Sequence, residues 1–271
     1  MSSTPESTPP DHEPGQEPQE ETGSQATAQR PSLLKKVGMG VWETLLVVLI
    51  ALTISAVFRA LVGQVFVIPS SSMEDTVHVG DRVFAVKPVD VHRGDIIVFR
   101  DPGGWVDGTP RKPAPLLRAL ELAGVWPDTS TTHLIKRLVG LPGDTVECCD
   151  PIGRIKVNGV AIDEPYLKDG LPAAAVPFKV VVPRDRFFAM GDNRNNSRDS
   201  RCHLARITND GEPQGMRAFV PMENIVGPAK FRLAPLDRVG NLRNPGNFAE
   251  VPAPSKAAPD KPTIMPEGVG C

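Results

Sequence analysis

The sequence predicts a mainly β protein, an antiparallel sheet fold behind one N-terminal membrane helix. Three observations lead there. The run Val41 to Val62 is apolar over a length that can cross a bilayer, and no second run like it follows. From Gly63 onward, short stretches rich in Val, Ile and Phe alternate with Gly, Pro, Asn and Asp, the punctuation of antiparallel strands. Finally, Asn158-Gly159 stands between Ile155-Lys156-Val157 and Val160-Ala161-Ile162. Both residues tolerate positive φ, so they close a type I′ hairpin.

Taken in order, residues 1–40 read as a disordered cytoplasmic arm. Through residue 31 the arm carries Glu6, Asp11, Glu13, Glu17, Glu20 and Glu21 among prolines, serines and glutamines, too little apolar surface to offset the entropy of ordering. Residues 41–62 follow as the transmembrane helix. At 1.5 Å per residue these 22 residues reach about 33 Å, enough for about 30 Å of hydrocarbon if Glu43 and Arg59 snorkel. The uncharged part, Thr44 to Phe58, would also suit a cleaved secretory signal, but about forty residues precede it and no convincing small-x-small site follows. Arg30, Lys35 and Lys36 before the helix place the N-terminus in the cytoplasm and the rest outside.

Residues 63–243 then form the extracytoplasmic domain. Strands are predicted at Arg82 to Val86, Asp95 to Phe99, Arg154 to Val157, Phe178 to Val182 and Arg186 to Met190, with the hairpin region at about 150–182. An insertion at about 102–132 contains Pro115 to Val125, whose Leu116, Leu117, Leu120, Leu122 and Val125 have the spacing of a short amphipathic helix. It reads as a packed surface helix, or else as a flap or membrane-surface element flanked by Trp105 and Trp126. The polar, proline-rich segment 244–271 reads as a disordered tail.

The 30 basic residues nearly balance the 32 acidic ones, so the overall charge points to no nucleic-acid partner. Function must lie in local clusters. The first is Ile68-Pro69-Ser70-Ser71-Ser72-Met73, just past the membrane helix. Serine runs are usually loops, yet a hydroxyl cluster on an apolar edge is costly unless used. A nucleophilic serine needs a base. Of the histidines at 12, 78, 92, 133 and 203, none lies in a triad context, whereas Lys136 follows apolar Leu134-Ile135. A free lysine titrates near 10.4, so stripping its proton at pH 7 costs about 4.6 kcal/mol, and burial among aliphatic side chains is what lowers that cost. Arg137, on the other side of the same strand, could face solvent or form an ion pair. The third cluster, Met190 to Arg201, is dense in polar side chains but has too few carboxylates for a calcium loop. It reads as a rigid loop that orients other groups.

These clusters, in this order and behind a membrane segment, resemble the bacterial type I signal peptidases. The resemblance covers roughly Val41 to Phe231 and rests on Ile68-Pro69-Ser70-x-Ser72-Met73, Gly94-Asp95-Ile96-Ile97-Val98-Phe99, Lys136-Arg137-x-Val139-Gly140-Leu141-Pro142-Gly143-Asp144 and Gly191-Asp192-Asn193-Arg194-x-Asn196-Ser197-x-Asp199-Ser200-Arg201. It implies a signal-peptidase-like antiparallel β fold and a Ser-Lys endopeptidase that removes signal peptides after Ala-x-Ala-like sites. By the same resemblance Ser72 is the nucleophile and Lys136 its base, while Ser70 and the Ser72 N–H form the oxyanion hole. Ser197 holds Lys136, Asp199 and Arg201 support the loop, and Ile68, Pro69, Met73 and Ile135 line pockets for small residues. Its partners are signal-peptide-bearing preproteins and the lipid bilayer, close to the secretion translocon; no cofactor is implied.

Asp75 departs from the family's frequent proline and Asn195 from its frequent aspartate. The short spacing from Lys136 to Gly191 implies a second β unit reduced to a hairpin and its neighbours. Cys148, Cys149 and Cys202 all fall in the exported part. There, one of the adjacent pair bonded to Cys202 and free thiols are both open, with Cys271 unpaired and no zinc spacing. Two other readings are an exported β-rich binding module and a penicillin-binding acyltransferase using Ser32-Leu33-Leu34-Lys35, although that string falls on the cytoplasmic membrane border.

Overall fold

The computed structural model describes residues 33–87, 90–106, 114–122, 132–168, 173–207 and 211–266. Two units are distinguished along the chain, 1–47 and 48–271. Helix α1 runs Leu33–Leu61, and its segment Gly40–Leu61 is long and apolar enough to cross a membrane. Trp42, Val47, Ile54 and Leu61 are among its exposed side chains. A helix that is apolar around most of its circumference and mostly exposed has the length and composition to cross a membrane.

The described residues after α1 form mainly two antiparallel sheets. The strands are β1 Gly63–Val67, β2 Arg82–Val86, β3 Ile96–Arg100, β4 His133–Gly140, β5 Thr145–Cys148, β6 Ile155–Val157, β7 Val160–Ala161, β8 Phe178–Val181, β9 Arg186–Met190, β10 Val220–Pro221, β11 Ile225–Ala234, β12 Gly240–Asn241 and β13 Thr263–Met265. The larger sheet has the order β1-β2-β11-β3-β4-β9-β10, with β12 paired to β11. The smaller has the order β13-β8-β5-β6-β7. The predicted hairpin is β6–β7, with Val157 opposite Val160 and with Asn158 at φ 49° and Gly159 at φ 87°.

One apolar cluster gathers Ile68, Met73 and Val77 with Val83, Ala85, Ile96, Val98, Ile135 and Ala229. It packs the loop between β1 and β2 onto the sheet that carries β4. A second cluster joins the two sheets, with Val139, Phe188 and Met190 from the larger meeting Val146, Ile155 and Val180 from the smaller.

Several expectations change. Residues 244–266 are ordered rather than loose: β13 pairs with β8, and Phe248 and Val251 are buried. These apolar residues are too widely spaced to show a period, but each finds a place in the core; residues 267–271 lie outside the described part. The second β unit is therefore a five-stranded sheet, larger than a hairpin with neighbours. Helix α2 covers Pro115–Leu122, and 123–125 fall outside the described residues. Trp105 is not at an interface; it is buried, its indole N–H donates to Arg217 O, and it stacks on His203. Trp126 lies outside the described residues. Cys148 is bonded to Cys149, so neither bridges to Cys202.

Candidate active site

The loop 68–81 leaves β1 and returns as β2. Its first turn closes through Val77 N–H donating to Met73 O at 2.8 Å, while Met73 and Val77 anchor it in the core. That anchoring holds Ser72, buried, over β4. On β4, Lys136 pairs in register with Ile97 of β3, and Arg137 projects from the opposite face. Lys136 is 3% exposed, and its ammonium donates a short hydrogen bond to Ser72 Oγ. Ser70 Oγ lies 3.4 Å from Ser72 Oγ.

Burial pushes the Lys136 amine down to about 8, against the attraction of Asp199 and Asp192 and with a smaller contribution from Arg201. At pH 7 the cost of the neutral amine then falls to about 1.4 kcal/mol. A neutral amine at hydrogen-bond reach of a buried hydroxyl can take its proton.

The polar loop 191–201 clamps this pair. Asn193 N–H donates to Ser72 O at 3.1 Å, Asn193 Nδ2 to Ser71 O at 3.1 Å, and Asn196 Nδ2 to Ser71 Oγ at 2.9 Å. Asp199 accepts from Gly191 N–H at 2.9 Å and from both Arg201 Nε and Nη2, at 2.9 and 2.8 Å. Arg201 also reaches Arg194 O at 3.0 Å. Gly191 is required by space: a Cβ there would stand 2.2 Å from Ser197 Oγ and 2.5 Å from Ser72 O. No side chain fits between two backbone segments that close.

On the far face of β4, Arg137 is buried and forks onto Asp192 at 2.8 and 2.5 Å. Thr76 Oγ1 donates to the same carboxylate at 2.6 Å. Arg194 makes a second buried fork onto Glu164 at 3.0 and 2.5 Å, and the Tyr166 ring lies 3.5 Å from the Arg137 guanidinium carbon. Two charged forks thus tie 164–166 to the strand and the loop of the site.

The structure brings together Ser70, Ser72, Lys136, Asp199 and Arg201. It differs at two predicted positions. Ser197 Oγ is buried and has no hydrogen-bond partner, so the expected contact with Lys136 is not made; the ammonium is directed to Ser72. Met73 has 0% exposure, so it backs the site from the core and touches nothing outside. Ile68 and Ile135 are also mostly buried, and Pro69 is exposed. Asn193, Thr76, Glu164 and Tyr166 were missed as parts of the site. Only Asn193 carried a sequence signal, through its place in the polar cluster. His203, buried and stacked on Trp105, is pushed down to about 4 by burial and then by Arg206 and Arg198.

Residues 41–234 match the family described as signal peptidase, peptidase S26. The chain belongs to the S26 signal peptidase family. It is 32% identical over 231 residues to a probable signal peptidase I of Mycobacterium leprae, covering 74% of this chain and 78% of that one. It is 34% identical over 215 residues to a probable signal peptidase I-2 of Synechocystis, covering 78% and 81%. It is also similar to a solved signal peptidase I of Enterococcus faecalis at 22% identity and a TM-score of 0.31, over 52% of this chain and 97% of the other. Membership makes the chain a peptidase of a membrane-anchored family that removes signal peptides, and α1 is the apolar helix suited to the anchor.

Proposed function

We propose that this peptidase cuts exported preproteins after Ala-x-Ala-like sites with a Ser72–Lys136 dyad, on the outer face of a membrane that α1 spans with its N-terminus in the cytoplasm. The observation that carries the reading is the buried Lys136 ammonium directed at Ser72 Oγ, with its pKa lowered to about 8.

In the proposed cycle, Ser72 Oγ attacks the scissile carbonyl carbon while Lys136 Nζ takes the hydroxyl proton. The tetrahedral oxyanion accepts from the Ser70 hydroxyl and the Ser72 N–H, two donors that lower the barrier by several kcal/mol. When the C–N bond breaks, Lys136 returns its proton to the leaving amine, the new N-terminus of the mature protein. Water, deprotonated by Lys136, then hydrolyses the acyl ester, and Ser72 recovers its proton. Ile68, Pro69 and Ile135, backed by Met73, border the side on which small residues are read. Asp199 and Arg201 hold the loop, and Ser197 serves Lys136 once its proton has moved.

Contact with the bilayer is supported by the outer face of the larger sheet. Val65 and Phe231 both pair with Phe84 across β1, β2 and β11, so all three project from one face. Val67 and Leu233 extend that face in exposed positions, and Phe58 of α1 meets the Phe84 ring at 6.5 Å. Such an apolar patch suits lipid. A preprotein tethered by its own signal segment, beside the translocon, would present its cleavage site at this height.

The test is cleavage of a purified Ala-x-Ala preprotein by the detergent-solubilised chain beside Ser72→Ala and Lys136→Ala. The parent is expected to cut after the second alanine, with each variant slowed about 10⁴-fold or more. Equal activity in folded variants would sink the dyad.

A further inference from the structure

The insertion between β3 and β4 is tied to the end of the membrane helix. Arg59, in the last turn of α1, donates from Nη1 to Glu121 O of α2 at 2.7 Å. Arg59 belongs to the final turn of the 40–61 apolar segment, the depth at which hydrocarbon gives way to headgroups and arginine side chains snorkel. A group hydrogen-bonded to it shares that depth, so the C-terminal end of α2 lies there too.

The outward side of α2 is apolar where water would penalise it. Leu116 is 73% exposed and Leu117 40% exposed, while Glu121 is buried and paired with Arg118. Cations gather at the same level. Lys87 N–H donates to Val62 O at 2.8 Å, immediately past α1. Its ammonium is lowered by burial, then by Arg59 and Arg100 nearby, a crowding of positive charge that lipid phosphates would relieve. The apolar face through Phe58 and Phe84 begins at the same end of α1.

We propose that α2 is an interfacial helix resting on the outer leaflet, with Leu116 and Leu117 in the acyl boundary and Arg59, Lys87 and Arg118 at the level of the lipid phosphates. Eight residues give about 12 Å of helix, enough for two turns lying flat in the interface. In chain order β4, the strand that carries Lys136, is the next element after α2, so this second point of attachment stands close in sequence to the strand of the site. The proposal rests on α1 spanning the membrane and is independent of the dyad.

The test uses the full chain in vesicles of phosphatidylcholine and phosphatidylglycerol, with and without bromine on the acyl chains. Leu116→Trp and Leu117→Trp each add one fluorophore to the three native tryptophans, and the parent's emission is subtracted. Ile152→Trp, on a turn of the smaller sheet where Ile152 is 75% exposed, is the control. Brominated lipid is expected to remove most of the emission added at 116 or 117 and to leave that at 152. Emission at 116 and 117 retained as fully as at 152 overturns the proposal. Blue-shifted but unquenched emission also overturns it, since protein and not lipid then covers the leucines. An alkaline carbonate wash of the parent separates the two failures: a chain that washes off defeats the membrane-spanning reading itself, while a chain that stays leaves only the position of α2 at issue.

Discussion

At Lys136, two opposed effects set the proton affinity. Burial disfavours the ammonium, and Asp199 and Asp192 favour it; the balance at about 8 shows that burial wins. Since the proposed reaction needs the neutral amine, kcat/KM should rise with pH through a limb near 8 and level off above it, as a pH–rate profile would show. The sign for stability is the same. The folded value lies below the 10.5 of a free lysine, so the unfolded chain binds more protons between those values and this group's contribution improves as pH rises from about 8. Ser197 offers a sharper separation. Its hydroxyl is buried without a partner, a burden of about 1–3 kcal/mol. Ser197→Ala should therefore leave the melting temperature unchanged or raised, while kcat falls if the hydroxyl engages Lys136 only during turnover. A lowered melting temperature with unchanged kcat would assign it a structural role alone.

Among the elements, the β6–β7 hairpin was the most legible, because Asn158-Gly159 dictates its turn. Its asparagine also works beyond the turn: Oδ1 accepts from Thr145 N–H at 2.8 Å, and Nδ2 donates to Asp144 at 2.8 Å and to Pro252 O at 2.9 Å. Gly159→Ala places a Cβ at φ 87° and should lower stability by about 1 kcal/mol without changing the rate per folded molecule, measured by urea unfolding beside kcat. β9 was predicted with its observed bounds, and β2 likewise. β11 was not predicted, for a physical reason. Gly227-Pro228 interrupts its sequence, and the structure accommodates the interruption with register shifts against both β2 and β3. In the site, Ser72 and Lys136 were legible through the chemistry that serine and lysine can share. The Arg194–Glu164 fork was not, since nothing local in either segment reports the partner thirty residues away.

Across the whole molecule, the segment after residue 243 shows the limit of reading composition. Prolines and small polar residues give it the character of a tail, but burial of Phe248 and pairing of Thr263–Met265 with β8 make it part of the second sheet. Phe248→Ala should cost about 3–5 kcal/mol in unfolding free energy, a loss that chemical denaturation would register and that a free tail would not produce. The strand order of the larger sheet has another consequence. The serine leaves β1 and returns on β2, the lysine stands on β4, and in the order β1-β2-β11-β3-β4 the two halves meet only through β11. Those ten residues, Ile225–Ala234, are made long after both Ser72 and Lys136 have been synthesised. A nascent chain therefore carries Ser72 and Lys136 on strands that hydrogen-bond into one sheet only after residues 225–234 have been made.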